Sequence, residues 1–329
     1  MGFMSVYPWD EVVAQLKKSK RVVISSHNSP DGDALGSALG LARFLKGRGT
    51  EARVLYTGTL AKMYEWMSAP GEVEAYRPEV HDPVIAAADS IVVVDISNWG
   101  RLGPMYGPVM KSKAVRLDLD HHPGAVCPAD FSINDPTAAA TGDLVYRLIH
   151  HFGGTITREI AEPLYTALVT DTGSFKYSNT DVHTHRVAAE FMDLGVEPYE
   201  VYTRIYERAP LSRLKLLGEA LSRLRAEPEH GLAWTVLSHA AYGVAGATEE
   251  DSEGVIDQVR TLECAETAVL FKEAQPGVVK VSFRSKGKVD VNAVAKRFGG
   301  GGHVRAAGLT MEAPLSEVIE KVLAAVRQA

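Results

Sequence analysis

Through the first half of the chain, short apolar runs alternate with longer stretches in which apolar residues return every three or four positions. The runs read as strands buried on both faces and the stretches as helices that cover them, which predicts an α/β domain with a mainly parallel sheet. Residues 21–26 (RVVISS), 52–56, 90–96 (SIVVVDI) and 114–119 are the predicted strands. A helix is expected over 34–45, stopped by Gly47 and Gly49, and helical spacing returns at 137–148 and 159–169. A further helix over 182–194 ends at Gly195, and 197–208 continues as polar, arginine-containing helical sequence without a strand signal. Alternation reappears at 232–237, 267–272 and 278–283, followed by the glycine run 299–302 and a last helix at 315–327. The pattern predicts a first domain at 1–187, a helical connector at 188–212 and a smaller α/β domain at 213–329.

Composition sharpens this picture in three ways. With 329 residues, 46% hydrophobic and 23% charged, the chain is an ordinary globular sequence long enough for two cores. A formal net charge of -6 argues against a broad basic face that coats long nucleic acid, yet leaves room for a local basic pocket. Cys127 and Cys264 are far apart and in no metal-binding or redox spacing, so they read as reduced thiols. The opening residues lack the apolar core of a signal peptide, Val6 breaks the myristoylation pattern, and no apolar run is long enough to span a bilayer. A cytoplasmic protein with no membrane partner is expected.

Candidate chemistry sits where apolar elements run out. The first strand delivers His27, then Asp31 and Asp33 in HNSPDGD; the run IVVV delivers Asp95; AVRLDL delivers Asp120, His121 and His122; the helix ending in ALVT delivers Asp171. In open α/β sheets, sites form outside the carboxyl ends of the strands, so these residues are candidates to converge. A lone aspartate after a strand is usually a turn residue or a cap, and a lone histidine pair is usually surface. Together, however, the aspartates would repel one another unless cations neutralised them. Carboxylates with imidazoles and no thiolates suit divalent metals other than structural zinc, and the mixed oxygen and nitrogen set leans toward manganese over magnesium. Two ions about 3.5–4 Å apart could activate a water and clamp a phosphoryl group.

The stretches HNSPDGDALGS, VVVDIS, DHHP and TALVTDTGSF resemble the four motifs of the DHH phosphoesterase superfamily, which includes RecJ-type nucleases and manganese-dependent inorganic pyrophosphatases. FRS at 283–285, DVN at 290–292 and GGGGHVRAAG at 299–308 resemble its DHHA1 accessory domain. The resemblance spans essentially the whole chain, and the arrangement is similar to the standalone nanoRNase/pAp phosphatase group. It implies His27, Asp31 and Asp95 as ligands of one metal, and Asp33, Asp95, His121 and Asp171 as ligands of the other, with Asp95 bridging. It implies two Mn2+, with Mg2+ or Co2+ as substitutes. His122 would contact the scissile phosphate and Asp120 would orient a neighbouring histidine.

The glycine run is no Walker loop, because no Gly-Lys-Ser/Thr follows it. Its composition alone reads as a turn before a buried strand. Between Arg284 and His303 it also reads as a phosphate cradle, in which Gly300, Gly301 and Gly302 let backbone N–H groups approach an anion. The resemblance implies the same for Arg284, Ser285, Asn292 and His303, with Arg305 as a further candidate. His183 and His185 are expected to face solvent, His150 and His151 to close a helix, and 249–253 to cover a loop and a helix start.

The function expected is a metal-dependent hydrolase that degrades short oligoribonucleotides of about 2–5 nucleotides to mononucleotides, and dephosphorylates 3′-phosphoadenosine 5′-phosphate (pAp) to AMP, in a cleft between the domains. Alternatives are a pApA or cyclic-dinucleotide phosphodiesterase, a RecJ-like single-strand exonuclease, and a non-catalytic nucleotide-binding module. Short RNA, pAp or other small nucleotides are the expected partners, together with a second copy of the chain in a homodimer.

Overall fold

A computed structural model describes residues 7–124 and 127–329. By internal contacts the chain divides into two units, Met1–Arg208 and Ala209–Ala329.

The first unit opens with helix α1 (Trp9–Lys18), strand β1 (Arg21–Ser25), helix α2 (Gly32–Gly47) and strands β2 (Glu51–Tyr56) and β3 (Val73–Ala75). Helix α3 (Pro78–Ala87), β4 (Ser90–Val94), α4 (Tyr106–Lys111), β5 (Val115–Asp120) and β6 (Phe131–Asn134) follow. Four helices complete it: α5 (Thr141–His151), α6 (Arg158–Asp171), α7 (Val182–Asp193) and α8 (Pro198–Tyr206). The strands lie in the order β3-β2-β1-β4-β5-β6, and every pairing is parallel, as the apolar runs predict.

Each face of this sheet feeds its own core. Val22, Ile24, Val92 and Val94 join α1, α2, α5, α6 and α7 on one side, while Val23, Ile91 and Val93 pack with Ile85, Trp99, Leu102 and Val109 on the other. Alternate residues of one strand therefore enter different cores, and no position can be polar without cost; hence the continuous runs. The stretch 188–212 holds the end of α7, all of α8 and the start of the next helix, and Phe191, Val196, Val201 and Ile205 are buried in the first unit's core.

In the first unit five elements escape the periodic reading: α1, α3, α4, β3 and β6. Strands β3 and β6 are too short to show alternation, α4 spans only six residues, α3 carries Pro83 inside it, and α1 is a ten-residue amphipathic helix that buries Val12, Val13 and Leu16. Helix α5 begins at Thr141 and not at 137, because Asp135 first accepts hydrogen bonds from the Thr137 amide and hydroxyl and forms a turn.

The second unit comprises α9 (Leu211–Ser222), β7 (Arg225–Glu227), β8 (Leu232–Leu237), α10 (His239–Ala245), α11 (Val255–Arg260), β9 (Thr267–Gln275) and β10 (Val278–Ser285). It ends with α12 (Val291–Lys296), β11 (Gly301–His303), β12 (Ala306–Glu312) and α13 (Leu315–Val326). Its sheet, β11-β12-β10-β9-β8-β7, is antiparallel except for β8 beside β9. Val269, Phe271, Val281 and Phe283 face α12 and α13, whereas Ala233, Ala268 and Leu270 face α9, α10 and α11. Residues 249–252 form a single 3-10 turn capped by Thr248, separate from α11.

Candidate functional site

Strands β1 and β4 are neighbours from which the chain builds outward in opposite directions, so a crevice opens beyond their carboxyl ends. His27 follows β1, Asp95 follows β4, Asp120 closes β5, and His121 and His122 come next. Asp31 is the N-cap of α2, its Oδ1 accepting from the amides of Asp33 at 3.1 Å and Ala34 at 3.0 Å. Asp171 is the last residue of α6.

Helices α2 and α6 bring these acids together because α2 carries no side chain where they cross. A Cβ on Gly32 would lie 2.4 Å from Thr170 Cγ2, one on Gly36 2.3 Å from the Pro163 carbonyl oxygen, and one on Gly40 2.5 Å from Leu164. This glycine row, four residues apart, lets the helix backbones approach closely enough to set Asp33 beside the end of α6.

The six residues expected as ligands do converge. One ligand atom each from His27, Asp31 and Asp95 lies within 4.8 Å of the others, and the same holds for Asp33, His121 and Asp171. His27 Nε2 is 3.8 Å from Asp95 Oδ2 and 3.9 Å from Asp31 Oδ2. His121 Nε2 is 3.5 Å from Asp171 Oδ2, 3.6 Å from Asp95 Oδ1 and 3.7 Å from Asp33 Oδ2. Asp95 therefore faces both groups. Its backbone is left-handed, with φ of 56°, a conformation that costs a non-glycine residue about 1 kcal/mol and marks a position held for its side chain.

His122 is held differently. Its Nδ1 lies 2.6 Å from Oδ1 of the fully buried Asp120, which also accepts from the amides of His121 and His122. Asp95, His121 and His122 also form a group of ligand distance, but the close Asp120 contact commits Nδ1 to orientation.

Burial makes the cluster an unfavourable place for negative charge. It pushes the carboxyl of Asp33 up to about 7, and raises those of Asp95 and Asp171 above the usual carboxylate range. Burial also acts to lower His121, but the carboxylates of Asp33 and Asp171 outweigh it and raise the imidazole. A set of hard oxygen donors and imidazoles, desolvated and mutually repelling, fits a pair of divalent cations that would replace the protons.

Several supporting residues carry no signal of their own in the sequence. The amides of Thr141 and Gly142, at the start of α5, donate to Asp33 at 2.7 and 2.9 Å, and the Thr141 hydroxyl donates to Asp95 at 3.1 Å. A Cβ on Gly142 would lie 2.6 Å from that of Ala167, so only glycine lets α5 come this near. Asn134 Nδ2 donates to Asp120 at 3.3 Å and to the His122 carbonyl at 3.1 Å, and Asn179 Nδ2 donates to Asp171 at 3.3 Å. His183, expected to face solvent, is half-buried with Nε2 2.8 Å from Asp143 Oδ1. His185 is exposed and stacks on Phe175.

In the second unit, Arg284 lies on β10 with Nε 3.6 Å from Asp257 Oδ1 and Nη1 donating to its neighbour's carbonyl at 3.1 Å. Ser285 is buried, and its hydroxyl donates to Glu266 at 3.1 Å while accepting from the Gly287 amide at 2.9 Å. Asn292 keeps a buried Oδ1 with no hydrogen-bond partner in the structure. The glycine run builds a hairpin: Gly301, Gly302 and His303 pair antiparallel with Gly308, Ala307 and Ala306, around Val304 and Arg305. Gly300 and Gly302 are needed for that packing, since a Cβ would lie 2.3 Å from the Gly308 carbonyl oxygen or 2.5 Å from that of Ala306. Gly301 faces open space. His303 and Arg305 are exposed at the hairpin tip.

Residues 21–168 match the N-terminal domain of the DHH family and residues 237–329 the DHHA1 domain. The chain is 35% identical to the bifunctional oligoribonuclease and PAP phosphatase NrnA of Thermus thermophilus, over 97% of this chain and 94% of that one. An exopolyphosphatase-related protein from Bacteroides fragilis superposes with a TM-score of 0.94 at 28% identity, over 99% of this chain and 98% of its own. RecJ from Thermus thermophilus, solved with Mn2+, shares the fold with a TM-score of 0.58 at 15% identity, over 99% of this chain and 55% of its own. On these matches the chain belongs to the DHH family, as a member that couples the DHH N-terminal domain to a DHHA1 domain.

Proposed function

We propose that this protein is a divalent-cation-dependent phosphoesterase that degrades short oligoribonucleotides to mononucleotides and removes the 3′-phosphate of pAp. The observation that carries the reading is the convergence of His27, Asp31, Asp33, Asp95, His121 and Asp171 on one crevice, in which His27, Asp33 and Asp95 are buried, His121 and Asp171 half-buried and Asp31 exposed. Its 35% identity with a bifunctional oligoribonuclease and PAP phosphatase over nearly the whole chain supports the substrate class.

In this reading His27, Asp31 and Asp95 would hold one Mn2+, and Asp33, Asp95, His121 and Asp171 the other, with Mg2+ or Co2+ as substitutes. When bound, such ions supply Lewis acidity toward a phosphoryl oxygen and a water. The protein's own part is orientation. Thr141 and Gly142 fix both oxygens of Asp33, and Asn179 steadies Asp171. Asp120, buried and accepting from His122 Nδ1, directs the opposite edge of the ring, Nε2, toward a phosphate oxygen or the leaving oxygen. Arg284, Gly301, Asn292 and His303 would hold a phosphate or base away from the reacting bond, Arg305 would add charge, and Ser285 would shape the strand end beside them. Both cysteines are free, in keeping with action in the cytoplasm.

The deciding assay compares pAp, pApA and an RNA ladder with Mn2+. Turnover of pAp and of dimers to pentamers, ending in mononucleotides, is expected. Preferred turnover of pApA alone would move the assignment to a dinucleotide phosphodiesterase.

A further inference from the structure

We infer that Arg101 is a substrate ligand of the first unit, donating to a non-bridging oxygen of the phosphoryl group presented to the aspartate–histidine crevice; this rests on the phosphoesterase reading above. Nothing in the ligand sets or in the glycine-rich hairpin includes it. Its mount is rigid. Trp99 and Leu102, on either side, are buried in the core beneath β4, and Trp99 Nε1 donates to the buried Asp118 at 3.1 Å. Asn98 Oδ1 accepts from the Gly100 amide at 2.8 Å and closes the turn. The Arg101 carbonyl accepts from the Asn28 amide at 2.9 Å, which ties this segment to the residue after His27.

The guanidinium itself is exposed, and among the described residues it makes no ion pair or hydrogen bond, although the neighbouring crevice is lined with carboxylates. The Arg101 backbone is fixed beside the residue that follows His27, so the side chain leaves the chain at the margin of the crevice. Asp31, Asp33, Asp95, Asp120 and Asp171 bring five carboxylates to the region. Two divalent cations would leave their sum at about -1 before any phosphate arrives. A phosphate ester would then add negative charge to a crevice already short of positive charge. A permanently ionised guanidinium at the rim supplies it, and its planar fork can donate two parallel hydrogen bonds to one phosphoryl group. That explains an arginine held rigidly beside acids yet paired with none of them.

The test uses the full Mn2+-loaded chain with Arg101→Ala and Arg101→Gln. kcat/KM for pAp should fall roughly ten- to hundredfold in both, the effect of one lost charge-assisted contact. Inorganic phosphate, measured by calorimetry, should bind correspondingly less well. Mn2+ stoichiometry and Tm should match the parent. Free guanidinium ion, but not ammonium, should restore part of the activity of Arg101→Ala, which a merely structural arginine would not show. Parent-like kinetics and phosphate affinity in the variants, or loss of Mn2+ from both, would overturn the inference. Should the alanine variant fold poorly, the glutamine variant decides by the same two measurements. A parent enzyme that turns over neither pAp nor short RNA would instead remove the phosphoesterase reading, while the phosphate affinity would still judge Arg101.

Discussion

At the scale of single residues, the site is governed by the conflict between burial and charge. In the metal-free protein Asp33 keeps its proton to about pH 7, against 3.8 for an unperturbed carboxyl. The folded state therefore binds a proton that the unfolded state has released, so the stability Asp33 contributes is full below about pH 4 and is lost as pH rises through about 7. Asp33→Asn has no proton to lose. Without metal, its Tm should fall less between about pH 5 and pH 8 than the parent's, as read by thermal melts at matched ionic strength. Identical pH slopes would place the burden on another group. Asp95→Ala should be the most damaging single change in the proposed metal centre, because this residue faces both ligand groups. Mn2+ stoichiometry by metal analysis should fall toward zero, along with nearly all turnover. A variant that keeps both ions would refute the bridging role.

At the scale of elements, the crossing of α2 and α6 decides whether the acids meet. Gly36→Leu would drive a side chain into the Pro163 carbonyl, and overpacking of this kind costs about 1–3 kcal/mol. Because the two helices carry Asp33 and Asp171, the variant should lose Mn2+ affinity by more than its loss of Tm would suggest. Calorimetric Mn2+ titration of the folded variant checks this, and unchanged affinity would show that the helix ends adjust independently of the crossing. The hairpin of β11 and β12 divides its glycines similarly: Gly300 and Gly302 serve packing, and Gly301 is the one whose open side can meet a ligand.

For the whole molecule, the two units carry different parts of the proposed reaction. Arg284→Ala should raise KM for pAp roughly ten- to hundredfold and leave Mn2+ stoichiometry intact, because its unit contains none of the proposed ligands. A loss of Mn2+ in this variant, or unaltered kinetics on every nucleotide, would remove the second unit from the mechanism. Substrate length belongs to the same scale. With a net charge of -6, the chain should cleave dimers to about pentamers much faster than strands beyond about ten nucleotides. Efficient degradation of long single strands would point instead to a RecJ-like activity.

The sequence by itself determined the parallel sheet and the chemistry at its edge. Strands buried on both faces are largely apolar, so Asp95, directly after SIVVV, and His27, two residues past RVVIS, stand out, and each was visible with its number. The helices were legible in the interior, where spacing repeats, and less so at their ends, where Asp135 or Asp31 settles the boundary through local hydrogen bonds. The glycine run was legible as special but not as a hairpin, because only its pairing with β12 separates the glycines that pack from the one left open. What the tertiary structure alone decided is the set of neighbours. The Thr141 and Gly142 amides meet Asp33 across more than a hundred residues, Asn134 meets Asp120, and His183 turns from solvent to Asp143. Arg101 likewise gains meaning only when the chain folds β1 beside β4 and joins its carbonyl to the Asn28 amide. Periodicity records which face of an element is dry, because burial selects residue type one position at a time; which two distant faces then meet is set by packing, and no single position carries that information.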